Sequence, residues 1–180
     1  MINWQQYVRY FKRNITFTNH QLLQLVCVFV LIFSLIMLAY VSGYGRRYAA
    51  LRVRATFAIA LWSSFIIGVT LLNRREMAVH LARFDVWNTI QSIVKGDTFA
   101  QYQAVNNIVL FVPFGVLLCV NGERCGVWWR HFLICFVCSL LIELEQFITG
   151  RGMFDVADLI TNLTGGMIGY ALARVVAVRK

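Results

Sequence analysis

Long apolar runs separated by short basic turns organise this chain. Leu22–Val41 contains no charged residue. At about 1.5 Å per residue such a run crosses the ~30 Å hydrocarbon core of a bilayer. Four more runs of similar character follow: Ala55–Leu72, Ala104–Val120, Val127–Ile148 and Val156–Val178. The third holds the chain's single proline, Pro113, which predicts a kink that neighbouring helices must compensate. Between the second and third runs lies a mixed stretch in which Val79, Ala82, Val86, Ile90 and Ile93 recur at helical spacing. This spacing predicts an amphipathic helix on the membrane surface. Residues 1–20 are polar and carry Trp4, Tyr7, Tyr10 and Phe11 among Arg9, Lys12 and Arg13. They lack the short basic start and cleavage site of a signal peptide and read as an interfacial aromatic–basic segment.

Composition agrees with that pattern. The 180 residues are 59% hydrophobic and 14% charged, against roughly half and a quarter in soluble domains. The predicted class is all-α: a polytopic membrane protein of about five transmembrane helices plus a surface amphipathic helix. One structural domain is expected. Residues 1–103 form an N-terminal part with two transmembrane helices and an amphipathic outer loop, and residues 104–180 form a three-helix core. The net charge of +9 is dispersed between the apolar runs, as in headgroup anchoring. No basic stripe or recognition module suggests a nucleic-acid partner. Of the five cysteines, Cys27, Cys119, Cys125, Cys135 and Cys138, the pair in "CFVC" sits mid-run and reads as two small hydrophobes.

Five spans place the termini on opposite sides. Arg46, Arg47, Arg52, Arg54, Arg124, Arg130, Arg174, Arg179 and Lys180 crowd one side in short segments. That side is predicted to be cytoplasmic, with the N-terminus outside and the C-terminus inside.

Polar residues inside the runs are the informative ones, since charges within a membrane face protein or water. At ~100° per residue, Glu143 and Gln146 lie about 60° apart with Ser139 beside them. Asp155, Asp158, Asn162, Gly165 and Gly169 fall within an arc of about 80°. Asn107 and Phe111 share a face just before Pro113. The short turn between the last two runs makes them antiparallel neighbours. Asn107, Glu143, Gln146, Asp155, Asp158 and Asn162 then converge in one outward-facing polar pocket, with Arg151 above it. Capping explains Asp155 or Asn107 taken singly, but not Glu143 and Gln146 on one face inside a span. The glycines allow close helix approach. Glu145, on the far side, faces the lipid interface and has no assigned role.

The pieces "NIVLFVPFG" at 107–115 and "IELEQFITGRGMFDVADLITNLTGGMIGY" at 142–170 resemble the VanZ-like membrane proteins. The family pattern falls here on Asn107, Phe111, Pro113, Phe114 and Gly115. It continues on Glu143, Gln146, Arg151, Asp155, Asp158, Asn162, Gly165 and Gly169. The resemblance covers about residues 104–175, and the first span looks like an N-terminal addition. A short Asn-x-x-Pro-Phe element of the family's outer loop has no counterpart, because that loop has no proline. The resemblance implies a bacterial cell-membrane protein associated with resistance to teicoplanin and related lipid-tailed glycopeptides. It implies membrane lipids, lipid-linked envelope precursors or lipoglycopeptides as partners.

Two functions follow from the residues. One is a non-catalytic module whose pocket binds a lipid headgroup or lipid-anchored ligand. The other is an enzyme acting on a polyprenyl phosphate or a phospholipid. Glu143, Asp155 and Asp158 are then candidate ligands for a divalent cation, or one is a general base, while Arg151 orients a phosphate. His20, His80 and His131 lie outside the cluster, and no nucleophile with an adjacent base is visible. A transporter would be expected to show an inverted repeat, which five short spans do not.

Overall fold

The computed structural model describes residues 4–41, 49–74, 80–121 and 127–178. Val79 and the turn residues Arg46, Arg47, Arg75, Arg124, Cys125, Arg179 and Lys180 lie outside the described residues. The elements are helix α1 (Trp4–Asn14), α2 (Asn19–Val41), α3 (Ala49–Ile67) with a wide π-helical end at Gly68–Leu72, strand β1 (Ala82–Arg83), α4 (Val86–Val94), α5 (Thr98–Asn121), α6 (Trp128–Ile148), strand β2 (Phe154–Asp155) and α7 (Val156–Val178). Five segments are long and apolar enough to cross a membrane: Asn19–Met37, Val53–Leu72, Thr98–Cys119, Trp128–Ile148 and Val156–Val176. The chain is an all-α polytopic membrane protein.

Local chemistry fixes the helix starts. Thr18 and Gln21 form a reciprocal capping box before α2: Thr18 N donates to Gln21 Oε1 (2.8 Å), and Gln21 N donates to Thr18 Oγ1 (3.3 Å). Gln21 Nε2 also donates to the Leu72 carbonyl (2.6 Å), joining the start of α2 to the end of α3. α1 rests on α5, where the Tyr7 and Tyr102 rings lie 5.6 Å apart.

Two boundaries differ from the sequence expectation. The surface helix begins at Val86 and leaves Ala82 out, because Asp85 caps it by accepting from Asn88 N (3.0 Å). Ala82 and Arg83 are extended instead and pair in parallel with Phe154 and Asp155. The third span starts at Thr98 rather than Ala104. Asp97 Oδ1 accepts from Phe99 N (2.9 Å) and opens that helix one and a half turns early. Gln101 and Gln103 break the apolar pattern there yet are satisfied, by the Ile93 carbonyl (2.9 Å) and by Asp158 (2.6 Å) respectively.

The buried centre is Ile66, Val69, Leu110, Phe111, Phe114, Cys135 and Ile142. Pro113 lies inside α5, and the helix continues through it. Next to the Val109 carbonyl that Pro113 leaves without its helical donor, Trp62 Nε1 donates to the Leu110 carbonyl (2.8 Å). α5 and α7 approach until backbones touch. A Cβ at Gly165 would meet the backbone of Ile108, one at Gly169 that of Val112, and one at Gly115 that of Gly166. α6 ends with Gly150 at φ +63°, the left-handed C′ position that glycine fills without strain. The chain reverses there and returns Asp155 to Glu143.

Candidate functional site

One end of the bundle gathers the polar groups. The C-terminal turns of α6 meet the first turns of α7, the first half of α5 and the end of α3. Glu143, Gln146, Asp155, Asp158, Asn162 and Asn107 are all buried there. Asn107 sits more than two turns into α5, so it is not a cap.

Hydrogen bonds link these side chains across helices. Glu143 Oε2 accepts from the backbone N–H of Asp155 (2.9 Å). Asp155 Oδ1 in turn accepts from Ala157 N (2.9 Å), so Asp155 also caps α7. Asp158 Oδ2 accepts from Gln103 Nε2 (2.6 Å). Asn107 Nδ2 donates to Thr161 Oγ1 (3.2 Å) and Asn162 Nδ2 to Ser139 Oγ (3.0 Å). Gln146 Nε2 donates to the Thr70 carbonyl (3.2 Å), while its Oε1 accepts from Arg74 Nη1 (3.2 Å). This satisfaction is what burial of so many polar atoms requires.

Arg74 and Arg83 both meet the carboxylates. Arg83 Nη1 lies 3.6 Å from Asp155 Oδ2, and Arg74 is close enough to act electrostatically on both Glu143 and Asp158. Arg151 is a half-buried residue of the α6–α7 turn. Gly152 makes room for Arg74: a Cβ there would fall 2.9 Å from Arg74 Nη1 and 2.9 Å from Gln146 Oε1. Arg74, Arg83, Gln103, Thr161 and Gly152 were not foreseen from sequence. Gln103 had one signal, since it lies four positions before Asn107 and so on its face. Arg74 and Arg83 had none, because interface arginines are read as headgroup anchors.

The metal expectation does not fit this geometry. Among the described residues no group of three or more His, Cys, Asp and Glu is arranged to hold a metal ion. Glu143, Asp155 and Asp158 each commit an oxygen to an amide donor and splay onto different partners. Phe111 and Phe114 belong to the apolar core rather than to the polar cluster. Cys119, at the far end of α5, is disulfide-bonded, whereas Cys135 and Cys138 are free.

Beside the cluster lies a cavity of about 230 Å³ under the surface helix α4. Arg83, Gln103, Asp155 and Asp158 form its polar wall, and Ile90, Ile93 and Ile160 contribute apolar surface. Asn107, Glu143, Gln146 and Asn162, expected to share one pocket with the two aspartates, do not line this cavity.

A family model described as VanZ/LLP1 matches residues 22–177, nearly the whole bundle. The chain belongs to the VanZ/LLP1 family. The match begins at residue 22, so α2 lies within the VanZ/LLP1 region and is not an addition to it. A relative named Protein VanZ, from Enterococcus faecium, is 40% identical over 70 residues, 39% of this chain and 43% of the relative. The aligned part thus spans less than half of that relative's length. No solved structure matches. VanZ/LLP1 membership and the five apolar helices together make this a multi-pass membrane protein.

Proposed function

We propose that the chain is a bacterial cell-envelope protein that contributes to resistance to teicoplanin or related lipoglycopeptides. It does so by holding a lipid headgroup, or the head of a lipid-anchored ligand, in the cavity under α4. The observation that carries this reading is the lining of that cavity. The carboxylates of Asp97, Asp155 and Asp158 and the Arg83 guanidinium line it together with apolar residues of α4. Such a lining complements a head that bears both charges on an apolar tail. Family membership supports the link to resistance. The cluster end faces outward in this reading, with the C-terminus in the cytoplasm, and membrane lipids and lipid-linked envelope precursors are the partners. No nucleic acid is involved.

The reading is non-catalytic, because the carboxylates are engaged by amides and the nearby Ser139 and Thr161 hydroxyls accept from Asn162 and Asn107. The test is expression in a susceptible host with wild-type, Asp155→Asn and Asp158→Asn chains at matched abundance, with lipids co-purified and identified by mass spectrometry. The wild type raises the teicoplanin inhibitory concentration and enriches one lipid class, and both variants lose both effects. Resistance that survives both substitutions overturns the proposal. Conversion of a lipid-linked phosphate by the pure protein would replace it with the enzymatic reading.

A further inference from the structure

A second cavity, of about 450 Å³, lies between α2, α3, α5 and α6 and shares no lining residue with the one under α4. That volume is within the ~300–1,000 Å³ range of ligand-sized clefts. α2, α3, α5 and α6 enclose it, through Ile32, Ile66, Phe111 and Ile142 among others. It runs lengthwise along the bundle. Ser63 and Cys138 mark its end near mid-helix, and Leu71 and Glu145 its end on the side of the polar cluster. The eight positions from Ser63 to Leu71 correspond to about 12 Å at ~1.5 Å each. One leaflet of a ~30 Å core is about 15 Å deep. The groove therefore has the depth of one leaflet and the wall of a hydrocarbon chain.

Glu145 breaks the apolar lining. It is exposed, and among the described residues its carboxylate has no hydrogen-bond or ion-pair partner. A charge inside a transmembrane helix is costly unless it meets a counter-charge or water. Placed at the headgroup end of a tail-shaped groove, it supplies half of an ion pair.

We propose that this groove takes the acyl chain of an amine-headed membrane amphiphile, whose ammonium pairs with Glu145. This site is separate from the cavity under α4 and does not depend on the function proposed for it.

The test is photo-crosslinking in nanodiscs, with a diazirine-bearing alkylamine and an alkyl phosphate of the same chain length, mapped by mass spectrometry. The alkylamine is expected to label peptides containing Ile66, Leu71 and Ile142 about five-fold more than the alkyl phosphate, the upper end for an interfacial ion pair. Glu145→Gln abolishes that preference while tail labelling persists. Leu141→Trp, a change at an exposed lining residue, lowers labelling by both probes. Asp158→Asn leaves the amine preference intact, so the two sites fail or stand separately. Equal labelling by the two heads, a preference that survives Glu145→Gln, or labels spread evenly over Leu31 and Leu35 of α2 overturns the proposal.

Discussion

The Glu143 carboxylate accepts a hydrogen bond from the backbone N–H of Asp155 at 2.9 Å, twelve residues on and across a helix reversal. That bond ties the last turns of α6 to the first of α7. Glu143→Ala would strand a buried N–H and cost about 1–3 kcal/mol. Glu143→Gln keeps an acceptor oxygen and should unfold closer to the wild type. Thermal unfolding in detergent, followed by loss of monodispersity, separates the two. Equal melting of both variants would show that the bond contributes no stability.

Arg74, Gln146 and Gly152 should behave as one unit. Gly152→Ala puts a methyl where Arg74 Nη1 reaches Gln146 Oε1. Arg74→Ala removes the same bond from the other side. The double variant should therefore fall short of the sum of the singles, by about 0.5–3 kcal/mol. Strict additivity in a double-mutant cycle would separate Gly152 from this bond.

The seam between α5 and α7 leaves no room for methyl groups. Gly165→Ala and Gly169→Ala each drive a Cβ into α5 backbone, which cannot rotate away as a side chain can. Each should destabilise by about 1–3 kcal/mol. Thr164→Ala, on the exposed side of α7, should stay within about 0.5 kcal/mol of the wild type. Comparison of the three melting temperatures checks the seam directly.

The proposed orientation has its own signature. Val94→Cys, at the exposed end of α4, should react with an impermeant thiol reagent on intact cells. Trp128→Cys, at the start of α6, should react only after permeabilisation. That orientation places the Cys119 disulfide in a reducing compartment, where it should be reduced in cells. The reverse labelling pattern, or a Cys119 disulfide that persists in cells, would invert the topology.

Helical periodicity made much of this arrangement readable in advance. Glu143, Gln146, Asp155, Asp158 and Asn162 share faces that simple angular arithmetic finds, and the five apolar runs locate the spans. What it missed has a common cause. Arg74 and Arg83 reach the cluster from segments where arginine is ordinarily an anchor, so their direction depends on tertiary contacts. The early start of α5 hid behind Gln101 and Gln103, whose polarity looks like a loop until their partners are known. Ala82 matches a helical template, but Asp85 and the pairing with Phe154 and Asp155 override it.

The pairing of Ala82 and Arg83 with Phe154 and Asp155 is only two residues long, yet it works as a hinge pin. It fastens the approach to α4 onto the residue that opens α7. A tilt of the surface helix would therefore load Asp155 and, through its N–H, the Glu143 carboxylate. Tension at the water boundary would thereby reach the interior of the bundle.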